Sequence, residues 1–169
     1  MKYERFEDLP VWKLAIELAL GVYKFTKDKF FNQDGDLRDQ IRRASLSVSN
    51  NIAEGFERGS TAELIAFLYI SRGSCGETRS MLLFTEQFSE AAHLASQISD
   101  LKLKAESCSR QIRGWTDNLQ NSNIKGQRHL NDNSRGIYEQ KKRADAFEKQ
   151  IKEIVKKARP QDYPDESQI

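Results

Sequence analysis

The sequence predicts an all-α protein, an up-down-up-down antiparallel four-helix bundle with an additional C-terminal helix. Three observations carry this prediction. Apolar residues recur at alternating three- and four-residue spacings through most of the first 119 residues, which is the period of a helix face. No strand pattern, internal repeat or Gly-rich phosphate loop interrupts them. Only three prolines occur in 169 residues, and 31% of side chains are charged, a composition closer to a solvated helical domain than to a disordered chain.

The first helix is expected to open with Asp8 as N-cap and Pro10 in the first turn, where a missing N–H costs little. Leu9, Trp12, Ile16, Ala19, Tyr23 and Thr26 form its seam, and it ends near Asp28. Residues 30–36, FFNQDGD, read as a loop with an Asp-Gly turn. Asp36 can cap the second helix, whose seam is Leu37, Ile41, Ala44, Val48, Asn51 with Ile52, and Gly55. Gly59 suits a left-handed C′ position. Ser60-x-x-Glu63 follows at once as a capping box, so helices two and three should be antiparallel neighbours across a tight corner.

The third helix spans about 61–88, with Leu64, Phe67, Ser71, Ser74, Thr78, Met81, Thr85 and Phe88 on its seam. Ser89 can cap the fourth. Its pattern is the clearest: Leu94, Ile98, Leu101, Ala105, Cys108, Ile112, Trp115 and Leu119 alternate by four and three, as in a bundle seam. The chain divides into a bundle at 1–119, a polar Asn/Ser/Gly-rich linker at 120–136, a basic amphipathic helix at 137–158 and a flexible tail at 159–169. Ala144, Phe147, Ile151, Ile154 and Ala158 line one face of that fifth helix, and its other face is Lys-rich.

Net charge is +2, which makes no global case for a polyanion partner. Residues 1–118 carry 16 basic and 17 acidic side chains, and residues 119–169 carry 11 and 8. The C-terminal part is therefore mildly basic, a weak pointer to nucleic acid. Cys75 and Cys108 sit at seam positions and read as buried reduced thiols. No apolar run approaches the length of a membrane span. The N-terminus has acids and no apolar core, so it does not read as a signal peptide. A soluble cytoplasmic protein with no membrane partner is expected.

The stretch SLSVSNNIAEGFERGS, residues 45–60, places weak helix formers inside a helix. Ser47, Asn51, Glu54 and Arg58 have offsets of 0, 4, 7 and 11 and form one polar stripe beside the apolar seam. Gly55 would let a neighbouring backbone come close. Ser74 and Glu77 on the third helix complete an expected structural polar core of Ser47, Asn51, Glu54, Gly55, Ser74 and Glu77. Buried polar groups cost a few kcal/mol unless bonded. A bonded cross-helix network would instead fix helix register.

These same residues carry a resemblance. LPVWKLAIELALGVYKFTKD and LRDQIRRASLSVSNNIAEGFERGSTAELIAFLYISRGSCGET closely resemble a family of bacterial four-helix-bundle proteins. That family was first noticed as reading frames within intervening sequences of large-subunit ribosomal RNA genes. The matching elements are the Leu-x-Val-Trp start, the run Gln40 to Ala44, the Ser-x-Asn-Ile-Ala-Glu-Gly core and Gly-Ser-x-x-Glu at 73–77. The resemblance covers about residues 6–118. It implies a homo-oligomer, a pentameric barrel, similar in fold to the accessory protein of diversity-generating retroelements. That accessory protein assembles with a reverse transcriptase and its template RNA. The linker and fifth helix depart from the family's minimal pattern, and no role carries over to them.

Chemistry at a catalytic or metal centre finds little support in the residues. A bundle di-iron site needs four carboxylates and two Glu-x-x-His pairs, and neither histidine, His93 or His129, is read as lying three residues after a Glu. Neither cysteine has a His partner at an evident spacing. No catalytic residue, metal ligand or cofactor is therefore expected, and the protein reads as non-enzymatic.

Arginine is the side chain that stands out. Arg38, Arg42 and Arg43 share a face of helix two, Arg72 and Arg79 a face of helix three, and Arg110 and Arg113 a face of helix four. Arg binds phosphate bidentately, so these seven are the expected nucleic-acid contacts. Asp39, Glu77, Glu106 and Asp117 lie close enough in sequence to neutralise some of them. Trp12, Tyr23, Phe67 and Trp115 read as core or interface, and Tyr69 falls off the seam. Two functions follow: an oligomeric RNA-binding or ribonucleoprotein accessory protein, with a reverse transcriptase as a possible partner, or a protein-interaction scaffold whose C-terminal helix docks a partner.

Overall fold

The computed structural model describes residues 3, 5–32, 35–121, 136, 140 and 143–153. Four long helices follow one another: α1 Pro10–Phe25, α2 Gly35–Glu57, α3 Thr61–Thr85 and α4 Ala95–Gln120. α1 packs on α2 and α4, and α3 packs on α2 and α4, so the chain goes up, down, up and down around a square. In the C-terminal part, residues 143–153 are helical and carry an exposed Glu148–Lys152 pair at 2.8 Å. The remaining linker, fifth-helix and tail expectations lie outside the described residues. No described helix is long and apolar enough to cross a membrane.

The starts of α1 and α4 differ from expectation. Residues Phe6–Asp8 form a 3-10 turn, and Leu9 is the N-cap of α1 with no side-chain cap bond. Residues Ser89–Leu94 form a second 3-10 turn, so α4 begins later, behind Leu94. Ser89 Oγ donates to the Glu90 carboxylate at 2.9 Å and caps nothing. In both cases an apolar side chain, Leu9 or Leu94, is pulled into the core at the helix entry, and its burial outweighs a cap.

The seam of α1 is shifted by one residue. Val11, Ala15, Leu18, Val22 and Phe25 form its centre; Leu9, Ala19 and Thr26 of the expected seam are buried too, whereas Trp12 and Ile16 are half-buried and Tyr23 is 41% exposed. Apolar residues occupy most positions of this helix, so the period alone leaves its phase ambiguous. α2 buries Leu37, Ile41, Ala44, Val48, Ile52 and Gly55 as expected. α3 ends at Thr85, earlier than expected, and Phe88 lies beyond it, 38% exposed. α4 buries Leu101, Ala105, Cys108 and Ile112, while Trp115 and Leu119 pack against the core half-buried.

At the α2–α3 corner Ser60 is the N-cap of α3, as expected, and Glu63 reaches back to its hydroxyl. Ser60 Oγ accepts the Glu63 N–H at 3.3 Å and donates to the Glu63 carboxylate at 2.7 Å. Gly59 departs from expectation: no described glycine has a positive φ, so the corner turns without a left-handed residue. The segment between α1 and α2 is more than a loop. Lys29–Asn32 is a 3-10 turn that drives Phe31 fully into the core against Phe25, with ring centroids 5.0 Å apart. Gly35 is already helical, and Asp34 of the expected Asp-Gly turn lies outside the described residues.

Candidate nucleic-acid interface

The centre of the α2–α3 contact is built from small and hydroxylated side chains. Ser74 Oγ donates to Ser47 Oγ at 3.0 Å. Asn51 Nδ2 donates to Ser47 Oγ at 2.9 Å and to the Ser47 carbonyl at 2.8 Å. Ser71, fully buried, donates across the helices to the Val48 carbonyl at 2.8 Å. A Cβ on Gly55 would lie 2.7 Å from Phe67 Cβ, so the glycine lets the two helices approach. Glu54 and Glu77 do not join this network. Glu54 turns outward to Arg58 at 2.6 Å, and Glu77 is exposed. A carboxylate keeps its hydration when a surface position is available.

The seven arginines fall into three groups. Arg38, Arg110 and Arg113 pair on their own helices with Asp39 at 2.9 Å, Glu106 at 2.8 Å and Asp117 at 3.8 Å. The Arg38 guanidinium holds the Asp39 carboxyl below the ordinary carboxylate range. Arg42 is committed inside the chain: its Nε donates to Thr26 Oγ1 at 2.7 Å, Nη2 donates to the Thr26 carbonyl at 3.3 Å, and the guanidinium lies 5.1 Å from the Tyr23 ring centroid. Arg43, Arg72 and Arg79 have no carboxylate within ion-pair distance among the described residues. Arg43 lines a surface hollow of about 480 Å³ with Gln40, Glu77, Ser80 and Met81.

Two features were not read from the sequence. One is a second hollow of about 530 Å³ where α1 begins and α4 ends, walled by Leu9, Val11, Phe56 and Trp115 and, among the described residues, lined by no charged side chain. The half-buried positions of Trp115 and Tyr3 follow from tertiary placement, which spacing does not reveal. The other is a Glu-x-x-His spacing at Glu90 and His93. It lies on the 3-10 turn, where Glu90 bonds Ser89 and His93 Nε2 meets Asp28 at 3.1 Å. No group of three His, Cys, Asp or Glu side chains able to hold a metal occurs among the described residues.

This architecture defines an antiparallel four-helix-bundle protein with a hydroxyl-rich α2–α3 contact and arginines on α2, α3 and α4. The chain belongs to the 23S rRNA-intervening sequence protein family, whose model matches residues 7–114. A crystal structure from Bacteroides thetaiotaomicron, described as a protein with unknown function from the S23 ribosomal protein family, is similar in fold. It has 20% sequence identity and a TM-score of 0.56, over 63% of this chain and 97% of that chain. No curated protein matches the chain.

Proposed function

We propose that the protein is a non-enzymatic, oligomeric RNA-binding or ribonucleoprotein accessory protein. The observation that carries this reading is the set Arg43, Arg72 and Arg79. These guanidinium groups on neighbouring helices have no carboxylate partner among the described residues, while Arg38, Arg110 and Arg113 do. An unpaired guanidinium can take a phosphate without first breaking an ion pair. Arg43 shares its hollow with Gln40 and Ser80, two further donors, and with the Glu77 carboxylate, so a phosphate would approach from the Arg43 side. Arg38, Arg110 and Arg113 would contribute by exchanging weak exposed pairs, and Arg42 would set the local backbone.

Association of copies, as the pentamer implied by the resemblance, would repeat this surface and raise avidity. The outward side of α3 supports association. Ile70 and Phe84 are 53% and 52% exposed, and a Cβ at Gly73 or Gly76 would meet nothing within 4 Å. Mid-helix glycines cost about 1 kcal/mol each relative to alanine, a cost that no contact among the described residues accounts for. A reverse transcriptase is a partner by resemblance only. If the face of α3 instead takes another protein, the molecule is a scaffold.

Fluorescence anisotropy with a structured RNA across a salt series tests the reading. Binding should weaken steeply with salt, as counterion release requires. Arg43→Ala, Arg72→Ala and Arg79→Ala together should reduce the salt slope by about three. Salt-independent binding, or an unchanged slope in the triple variant, would overturn it.

A further inference from the structure

The hollow between α2 and α3 holds a guanidinium and a carboxylate that lie opposite each other and do not pair. Ser74 bonds Ser47 and Ser71 bonds Val48. Carried about one turn along both helices, this antiparallel register sets Arg43 opposite Glu77. Gln40 then falls opposite Ser80 and Met81. All five side chains line the hollow of about 480 Å³, a volume within the usual range of ligand sites. Arg43 and Glu77 are both exposed, and neither has an ion-pair partner among the described residues, each other included. Met81 is half-buried and packs against the core, which gives the hollow a fixed apolar wall.

A carboxylate opposes a phosphate chain, so contact with phosphates alone gives Glu77 no role. Resting on the RNA-binding reading above, we infer that the hollow recognises one unpaired guanosine of an RNA, with Arg43 on its phosphate and Glu77 on its base. An ionised carboxylate only accepts hydrogen bonds, on two oxygens side by side. The edge that matches it has two adjacent donors. Guanine presents such an edge on its Watson–Crick side, where N1–H lies beside the N2 amino group. Adenine and cytosine each set one amino group beside an unprotonated ring nitrogen, and uracil sets its N3–H between two carbonyls. Each of these aims an acceptor lone pair at the carboxylate. The guanine edge is free only in an unpaired base, the form in which proteins read RNA sequence. Met81 offers the base a polarizable apolar contact. Gln40 and Ser80 carry donors and acceptors for the ribose hydroxyls, and Arg43 holds the phosphate through paired N–H groups.

The full-length protein is titrated by fluorescence anisotropy against labelled uridine tracts of one length that carry a single central guanosine, inosine or adenosine, or none of these. Guanosine should bind about tenfold more tightly than adenosine, the scale of one bidentate base contact. Inosine, which lacks the N2 amino group, should fall between them. Glu77→Gln should erase the preference for guanosine over inosine while the plain uridine tract binds at least as well as before, a pattern that a folding defect would not give. Unlabelled guanosine monophosphate should displace the guanosine tract at concentrations where adenosine monophosphate does not. Equal affinity for all the tracts, or a guanosine preference that survives Glu77→Gln, would overturn the guanine site and leave salt-dependent RNA binding standing. Failure to bind any tract would remove both. Binding of free guanosine monophosphate without any tract would assign the hollow to a nucleotide and overturn the RNA as its source.

Discussion

Along α4 the buried positions are Ile98, Leu101, Ala105, Cys108 and Ile112, an apolar seam followed by a single hydroxyl, Thr116. Along the α2–α3 contact they include Gly55, Ser71 and Ser74, with Thr78 one turn further along α3. Both seams lie in the bundle interior, yet they are held by different means. α4 relies on apolar area removed from water. The α2–α3 contact relies on closeness and on hydroxyls that are already satisfied. Ser71 and Ser74 donate to the Val48 carbonyl and the Ser47 hydroxyl at 2.8 and 3.0 Å, and Thr78 donates back to the Ser74 carbonyl at 2.9 Å. A hydroxyl bonded to its own helix brings little desolvation cost with it and occupies little volume. The polar stretch within α2 is therefore not a weak point: it is what lets two helices approach where Gly55 meets Phe67.

The comparison breaks first at α4. Ile112→Ala should cost about 2–5 kcal/mol through lost burial and the cavity left behind, measured by urea unfolding. Gly55→Ala comes next, at about 1–3 kcal/mol, because the new methyl overlaps Phe67 Cβ and overpacks the contact. Its counterpart Gly73→Ala has open space and should gain up to about 1 kcal/mol at dilutions where copies are separate. If both glycine variants behaved alike, closeness would not be what Gly55 supplies. Ser71→Ala should cost only about 1 kcal/mol, one cross-helix hydrogen bond.

The smallest effect lies at the end of the bundle. Asp28 accepts the Phe30 N–H at 2.9 Å and pairs with His93, and these hold its carboxyl below the ordinary range. A depressed folded-state pKa gives stability that is fully present above the unfolded value and is lost as pH falls through the folded one. The melting-temperature advantage of wild type over Asp28→Asn should therefore be present near neutral pH and begin to decline only as pH falls below about 4.

Much of this fold was legible because α2 and α4 each have one apolar stripe and one polar face, and because Ser60 and Glu63 mark a corner that only a capping box explains. α1 was less legible, since apolar residues at Val11, Trp12, Leu14, Ala15 and Ile16 permit more than one phase. Phe31 was hidden in a polar loop, as a buried residue outside a periodic segment leaves no spacing to detect. Around the candidate site, Ser47, Asn51 and Ser74 could be placed together by helix offsets. Offsets did not distinguish Arg42, which reaches Thr26 on another helix, from Arg43, which does not. That difference depends on how α1 and α2 sit together, and the sequence period is silent on it.

Arg42 also bears on the order in which the molecule can assemble. Its partners, Thr26 and Tyr23, precede it by 16 and 19 positions. The loop to be closed is short, so its entropic cost is modest. Synthesis from the N-terminus supplies every atom of this contact before α3 exists. The guanidinium also takes up a carbonyl left open just beyond the last turn of α1. A nascent chain ending before residue 61 already contains a polar latch for its first hairpin, against which the second hairpin can later close.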